Sequence, residues 1–594
     1  MARFPPESPD EDRRVTELTV WAPEARRVDV TVRERTVPMA RSERGWWRVE
    51  TSIGHADDYT FSLDGGPGRP DPRSGWQPKG VHGPSRYVEH GEFVWTDATW
   101  RTPPLVGAVV YELHVGTFTP EGTFEAAIER LDYLVSLGIT AVELLPVNEF
   151  SGDRGWGYDG VDLYAPHHAY GGPEGLKRLV DACHAKELAV ILDVVYNHLG
   201  PSGNYLAEFG PYFTDRYRTP WGDAVNFDDA QSTEVRGFFI DNALMWLRDY
   251  HFDGLRVDAV HAMFDRSAVH FLEELTTRVR AYEIEARRSF WVIAESDLND
   301  PRLVRSTEAG GFGMDAQWSD DFHHALHALL TGERNGYYSD FGTVEQLATS
   351  LKGAYVYAGG YSGFRGRNHG RPTTGLPGGR FLGYLQNHDQ VGNRAAGDRT
   401  SRLAGEGLLA VGAALVLTSP FVPMLFMGEE WGASTPWLYF TDHADAELGA
   451  AVGEGRRSEF EAFGWAPEQV ADPQDEETFV RSKLDWSEQR RDPHADLLRW
   501  HRDLIALRTS TPDLLDDDLS AVSVRFDEGA RWLVVERGVI TIACNLGSKP
   551  AEVPLAASRR ASVQLTSAHE PGTDGDVVRL PAESVTIYSA RPQG

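Results

Sequence analysis

The chain has 594 residues, too many for one compact core, so two to four domains are expected. Lysine and arginine number 58 against 89 aspartates and glutamates, a formal charge of −31. That charge argues against nucleic acid or an anionic membrane as partner and favours a neutral or small substrate.

The N-terminus, MARFPPESPDEDRRVTEL, has no apolar segment after its charges and does not read as a signal peptide. From about residue 15 to 98, short strand-like runs (LTVWAPEA, RVDVTV, WWRVET, YTFSLDG) alternate with Gly/Pro turns, the pattern of a small β-sandwich. The middle of the chain then changes period. Eight apolar runs suit barrel strands: VVYELHV (109–115), AVELLPV (141–147), AVILDVVY (189–196), GLRVDAV (254–260), WVIAES (291–296), MDAQWS (314–319), FLGYLQNHD (381–389) and VPMLFMGEE (422–430). Amphipathic stretches such as GLKRLVDACHAKEL and VRGFFIDNALMWLRDY lie between them. Eight strands with helical crossovers predict an α/β fold, a (β/α)8 TIM barrel, over residues 99–512. The last eighty residues return to strand-like runs (AVSVRF, RWLVVERG, VITIACNLG, SVQLT, SVTIYSA), so residues 1–98 and 513–594 are expected to flank the barrel as β-sandwiches. No run approaches 18 apolar residues, which predicts no membrane span. Cys183 and Cys544 are the only cysteines, which suits a reducing cytoplasm and gives no basis for a disulfide framework or a Cys-based metal site.

Barrels of this kind place their chemistry at the C-terminal strand ends. Polar residues cluster there: Asp193, Asn197 and His198, then Arg256 and Asp258, then Glu295, then Asn387, His388 and Asp389. In strand alternation Arg256, Asp258 and Val260 share one face, and Leu255, Val257 and Ala259 share the other. A buried ion pair is weak evidence for stability, so Arg256 beside Asp258 points to a site. Opposite charge favours the ionised carboxylate, which makes Asp258 a candidate nucleophile. Glu295 follows the apolar WVIA, where burial raises a carboxyl pKa and suits a general acid. The pair fits retaining glycoside hydrolysis, in which the two carboxyl groups stand about 5–5.5 Å apart.

DVVYNH (193–198), GLRVDAVH (254–261), IAESD (293–297) and LQNHDQ (385–390) resemble, in order, the four conserved regions of the α-amylase superfamily, glycoside hydrolase family 13. The resemblance implies Asp258 as nucleophile, Glu295 as acid/base and Asp389 as transition-state stabiliser. It also implies Arg256 as the group orienting the nucleophile, with His198, His261 and His388 among the sugar contacts. Tyr158, in WGYDGVDLYAP, would be the stacking platform. Asp193 and Asn197 read instead as loop-tying residues, Glu429 and Glu430 as structural, and Trp156 as either packing or site.

IAESDLNDPRLV (293–304), DAQWSDDFHHALH (315–327), YSGFRGRNHG (361–370), PQDEETFVRSKLDW (473–486) and YFTDRYRTPWGDAVNFDD (212–229) together resemble the maltooligosyltrehalose trehalohydrolases within that superfamily. That resemblance implies hydrolysis of the α-1,4 bond next to a terminal trehalose, and a functional partnership with a maltooligosyltrehalose synthase. Asp320, Asp321, His323, Gln390 and Arg394 would then hold the trehalose unit, although Ser319 or Asp320 equally suits a helix N-cap. No cofactor and no metal site are expected, since acid/base and covalent catalysis need neither and no complete oxygen-ligand set is visible. Two rivals remain. A glycogen branching enzyme shares the Arg–Asp region, and a non-catalytic barrel scaffold would lack the carboxylates present here.

Overall fold

The computed structural model describes residues 14–462, 470–569 and 571–590. Eight parallel strands close into one barrel: Val110–Leu113, Ala141–Leu144, Ala189–Val194, Gly254–Val257, Trp291–Ala294, Ala316–Trp318, Phe381–Tyr384 and Val422–Phe426, the last pairing with the first. Each of the eight expected runs contains one of them, and each strand is shorter than its run. The C-terminal remainder of each run leaves the barrel as a loop, and these loops carry the polar residues.

The runs are apolar throughout because a parallel barrel is covered on both faces. Val110, Ile191, Ile293, Trp318, Leu382, Tyr384 and Met424 belong to an inner cluster, whereas Tyr111, Leu144, Leu192, Leu255 and Val257 join the core shared with the surrounding helices. Strand register and the stagger of a closed barrel bring inward side chains of alternate strands into common layers. One layer holds Glu143, Arg256, Trp318 and Met424; the next, towards the C-terminal ends, holds Glu112, Asp193, Glu295 and Tyr384. The Arg256 guanidinium lies 4.2 Å from the Trp318 ring centroid, a contact within the first of these layers.

The fourth strand corrects one expectation. It stops at Val257, so the alternation read through Val260 does not hold. Ala259 adopts a left-handed conformation (φ 41°, ψ 49°) and Val260–Ala262 forms a 3-10 turn. A left-handed alanine costs free energy and persists where surrounding contacts over-determine it.

On the N-terminal side, Arg14–Trp21, Trp46–Ile53 and Ala40–Arg41 form one antiparallel sheet. Val28–Val32, Arg35–Pro38, Asp58–Leu63 and Gly68–Arg69 form a second, and the two share apolar core residues such as Val20, Trp47, Val30 and Phe61. On the C-terminal side, a five-stranded sheet built on Trp532–Arg537, Ile540–Asn545 and Ser584–Ser589 accompanies a three-stranded one, Ala551–Pro554, Val577–Leu580 and Gly572–Asp574. Among the described residues no helix is long and apolar enough to cross a membrane.

A charged clasp closes the barrel end opposite the polar loops. Asp253, just before the fourth strand, accepts hydrogen bonds from Trp100 Nε1 (2.8 Å), Thr102 Oγ1 (2.6 Å), Arg288 Nη2 (2.6 Å) and the Val190 backbone N–H (2.8 Å). The His184 ring lies between Asp253 (3.0 Å) and Asp97 (2.8 Å). Buried charges need this density of partners.

Candidate active site

Asp258, the first residue past the fourth strand, has both carboxylate oxygens occupied. Oδ1 accepts from Arg256 Nη1 at 2.8 Å, and Oδ2 accepts from Asn197 Nδ2 at 2.8 Å. Burial alone raises a carboxyl pKa. Here the charge of Arg256, then His198 and Asn197, outweighs burial and holds Asp258 below its ordinary value. Arg256 is fully buried, and the same Nη1 donates to Asp193 Oδ2 at 2.7 Å. Tyr158 hydroxyl donates to that oxygen at 2.5 Å and lies 2.7 Å from His388 Nε2, with its ring stacked on the His388 ring (centroids 5.1 Å). Asp193 and Asn197, read from sequence as loop ties, thus touch the two residues at the centre of the site.

Glu295 lies just past the fifth strand, and the Ala259 backbone N–H donates to its Oε2 at 2.7 Å. The left-handed turn at Ala259 therefore aims an amide at the second carboxyl. Arg256 Nη2 is 3.9 Å from the same oxygen, beyond hydrogen-bond reach. Burial, opposed by Arg256 and reinforced by Asp258, Asp320 and Asp389, pushes Glu295 well above the usual carboxyl range. The neighbouring carboxyls are thus driven in opposite directions: Asp258 towards its ionised form and Glu295 towards its protonated form.

Asp389 sits in the first turn of the short helix His388–Gly392, with its side chain 42% exposed and so open to the mouth. Asn393 Nδ2 donates to its Oδ1 at 3.3 Å. Asp320 opens the helix Asp320–Thr331 and accepts from the Tyr384 hydroxyl. Burial raises it to about 7 against that hydrogen bond, with Asp297, Asp321 and Asp389 adding to the rise.

Among the histidines, His388 is anchored from below. Glu112 accepts from its backbone N–H (3.0 Å) and from Nδ1 (2.6 Å). Burial opposes the charged ring, but Asp389 and Glu112 raise its pKa to about 9, so it is an imidazolium at neutral pH. His198 lies 2.5 Å from Asn197 Oδ1 and 2.8 Å from the Tyr158 carbonyl, and its ring stacks on Trp221 (centroids 4.2 Å). Both ring nitrogens therefore face protein atoms. His261 is exposed on the 3-10 turn after Ala259.

Three expected trehalose contacts are tied elsewhere. His323 is fully buried, 2.8 Å from both the Leu385 carbonyl and the Tyr338 hydroxyl, and burial holds it neutral. One turn into its helix, it packs on Tyr384 and not towards the opening. Asp321 Oδ2 accepts from Asn299 Nδ2 and from the Val356 and Tyr357 amides, pinning that loop. Arg394 makes a two-pronged ion pair with Glu333 at 2.7 and 2.8 Å. Gln390 Oε1 accepts from the Tyr337 (3.0 Å) and Tyr338 (3.3 Å) hydroxyls. Ser319 is the N-cap residue by position, yet its hydroxyl donates to the Ala354 carbonyl and makes no cap. Trp156 is packing: it is buried, stacked on Trp437 (5.1 Å), and its Nε1 donates to the Leu438 carbonyl. Glu430, whose Oε1 accepts from Tyr111 and Tyr133, lies inside the core, as its structural reading predicts.

Sequence reasoning missed Glu112 and Trp221 and read Asn197 as a loop tie. Glu112 carried a signal, a carboxylate inside an apolar strand; Trp221, at a hairpin tip, carried none. The segment 438–465 follows the eighth strand. Asp442 receives Arg154 and the Asp153 amide, and Arg456 reaches the Gly392 carbonyl and Asn393, so this segment braces the loops bearing Tyr158 and Asp389. Its residues 463–465 lie outside the described residues. Among the described residues, one group of metal-ligand composition occurs: Glu149, His167 and His168. Within it His168 Nδ1 lies 2.6 Å and its backbone N–H 2.8 Å from Glu149, whereas buried His167, with Nδ1 3.3 Å from Glu149, has no hydrogen-bond partner on either ring nitrogen among the described residues.

The profile of the α-amylase catalytic domain matches residues 88–219, and that of a domain of unknown function (DUF3459) matches residues 517–587. Malto-oligosyltrehalose trehalohydrolase from Arthrobacter ramosus is 53% identical over 541 residues, covering 90% of this chain and 93% of its own. The enzyme of that name from Mycobacterium tuberculosis (strain H37Rv) is 50% identical over 581 residues, covering 97% and 99%. A crystal structure from Salmonella typhimurium, provisionally named an alpha amylase, superposes with a TM-score of 0.89 at 37% identity, covering 98% and 99%. The rival reading has a partial counterpart: a 1,4-alpha-glucan branching enzyme from Bacillus caldolyticus is 33% identical over 51% of each chain.

Proposed function

The chain belongs to the malto-oligosyltrehalose trehalohydrolase family, and from that premise we propose how its barrel mouth performs the reaction. The protein is a glycoside hydrolase that cleaves the α-1,4 bond beside the terminal trehalose of maltooligosyltrehalose, releasing trehalose and a maltooligosaccharide. In our reading Asp258 attacks the anomeric carbon on the non-trehalose side while Glu295 gives its proton to the leaving O4 of trehalose. Trehalose departs, and the maltooligosaccharide stays esterified to Asp258. Glu295, now ionised, takes a proton from water, which attacks the same carbon and frees the nucleophile.

The observation that carries this reading is the unequal treatment of two neighbouring carboxyls. Arg256 and Asn197 hold Asp258 charged, and burial keeps the proton on Glu295. Asp389 is read as gripping sugar hydroxyls near the bond and Tyr158 as the platform beneath the ring. Asp320 and Gln390 stand as the polar groups that meet trehalose. His198 and His388 act chiefly by holding Asn197, Tyr158 and Asp389 in place, which their hydrogen bonds to the first two and the 3.5 Å ion-pair contact of His388 with Asp389 support. The substrate is proposed to come from a maltooligosyltrehalose synthase working with this enzyme in the cytoplasm.

Chromatography of products from maltooligosyltrehalose and from plain maltooligosaccharides tests the assignment. Free trehalose is expected from the first substrate much faster than glucose or maltose from the second. Comparable rates on both, or new α-1,6 branches on amylose, would overturn it.

A further inference from the structure

The barrel layer beneath the site holds one carboxyl that the scheme above leaves unused. Glu143 lies on the second barrel strand, 1% exposed, as the cross-strand partner of Glu112. It shares its layer with Arg256 and Trp318, one step below Asp193 and Glu295. Glu112 is accounted for, since both its oxygens accept from His388. Neither oxygen of Glu143 has a hydrogen-bond partner among the described residues. The same is true of Nε and Nη2 of Arg256, because both hydrogen bonds of that guanidinium leave from Nη1.

The charged groups whose fields act on Glu143 are Glu112, its cross-strand partner, and then Arg256, Asp193 and His388. An ionised Glu143 would stand beside the Glu112 carboxylate without donors, and it would draw the guanidinium away from Asp258. Burial and then Glu112 raise its pKa, Arg256 opposes, and the outcome is a carboxyl well above its ordinary value. A neutral carboxyl leaves the whole charge of Arg256 to Asp193 and Asp258 while still presenting oxygen lone pairs to the layer.

We propose that Glu143 is a positioning residue of this hydrolase: acting through Arg256, it keeps the guanidinium turned towards Asp258 by lining the same barrel layer with a polar group that does not compete for its charge. The inference rests on the reading of Asp258 as nucleophile.

Two variants test it. Glu143→Gln keeps shape and polarity, so kcat is expected within about threefold of wild type, with the acid limb of the kcat/KM pH profile in place. Glu143→Leu removes the lone pairs. A drop in kcat of about tenfold or more is expected with KM little changed, and the acid limb moves to higher pH as Asp258 loses part of its partner. Should the Leu variant fail to fold by circular dichroism, Glu143→Asp takes its place; it draws the carboxyl back by one methylene and moves both readouts in the same direction by less. A folded Leu or Asp variant with wild-type kcat and pH profile overturns the proposal, as does a Gln variant as impaired as Leu. If Asp258→Ala is inactive while these variants behave as wild type, only this inference fails; an active Asp258→Ala removes its premise.

Discussion

At Asp258 a buried charge is held by two donors, Asn197 and an arginine whose other hydrogen bond goes to Asp193. In the proposed scheme, removing such a group takes away covalent catalysis, whereas removing the carboxyl of Glu295 takes away general-acid assistance. Asp258→Ala and Glu295→Gln are each expected to lose more than about a thousandfold in kcat with the fold retained. Steady-state kinetics alongside circular dichroism is the check, and near-wild-type kcat in either variant sinks the assignment. The two pKa directions also predict a bell-shaped pH profile: activity falls in acid as Asp258 gains a proton, and in base as Glu295 loses one. The carboxylates and Arg256 were legible in the sequence because charged residues in apolar runs are conspicuous. The histidines were not, because a ring's partner is invisible in its own segment. His388 meets Glu112 from 276 residues away and is drawn into the site, whereas His323 meets Leu385 and Tyr338 and is drawn out of it.

Short loops do the fine positioning at the level of elements. The antiparallel pair Asn148–Glu149 and Asp162–Pro166 carries Tyr158 in its connecting loop. Just before it, Gly157 has φ +97°, and a Cβ there would meet the Pro146 carbonyl oxygen at 2.2 Å. Gly157→Ala is therefore expected to displace Tyr158 from His388 and Asp193, lowering kcat/KM by about tenfold or more with a stability loss of roughly 1–3 kcal/mol. Unchanged kinetics in a folded variant would contradict that role. The eight strands were readable from apolar runs, but their ends were not. At the fourth strand the local pattern continues to Val260, and the chain turns at Ala259 because the Ala259 amide meets Glu295 and the Val260 amide meets the Glu295 carbonyl. Contacts from the fifth strand outweigh local strand preference.

For the molecule as a whole, the clasp of Asp97, His184 and Asp253 fastens the segment before the barrel to its closed end, far from the chemistry. Burial raises the Asp253 pKa, but hydrogen bonds from His184 and the Arg288 charge lower it to about 2. Its stabilisation is thus present above the unfolded value of about 3.9 and is lost as pH falls through about 2. Burial opposes charge on His184, yet Asp253 and Asp97 raise its pKa, so its contribution is complete below about 6.5 and fades as pH rises beyond its folded value. Asp253→Asn is expected to cost about 3–5 kcal/mol at neutral pH, since it leaves the largely buried Arg288 without its counter-charge and His184 with Asp97 alone. It should also flatten the fall of Tm between about pH 4 and 2. Thermal melts across that range decide, and parallel curves for variant and wild type would refute the clasp. By itself the sequence determined the eight barrel strands, the flanking sheet-rich ends and the carboxylates, because alternation, apolar runs and isolated charges are local properties. Only the tertiary structure decided which polar residues serve the site and which serve the core. Hydrogen-bond partners are set by barrel closure and stagger, which join residues hundreds of positions apart.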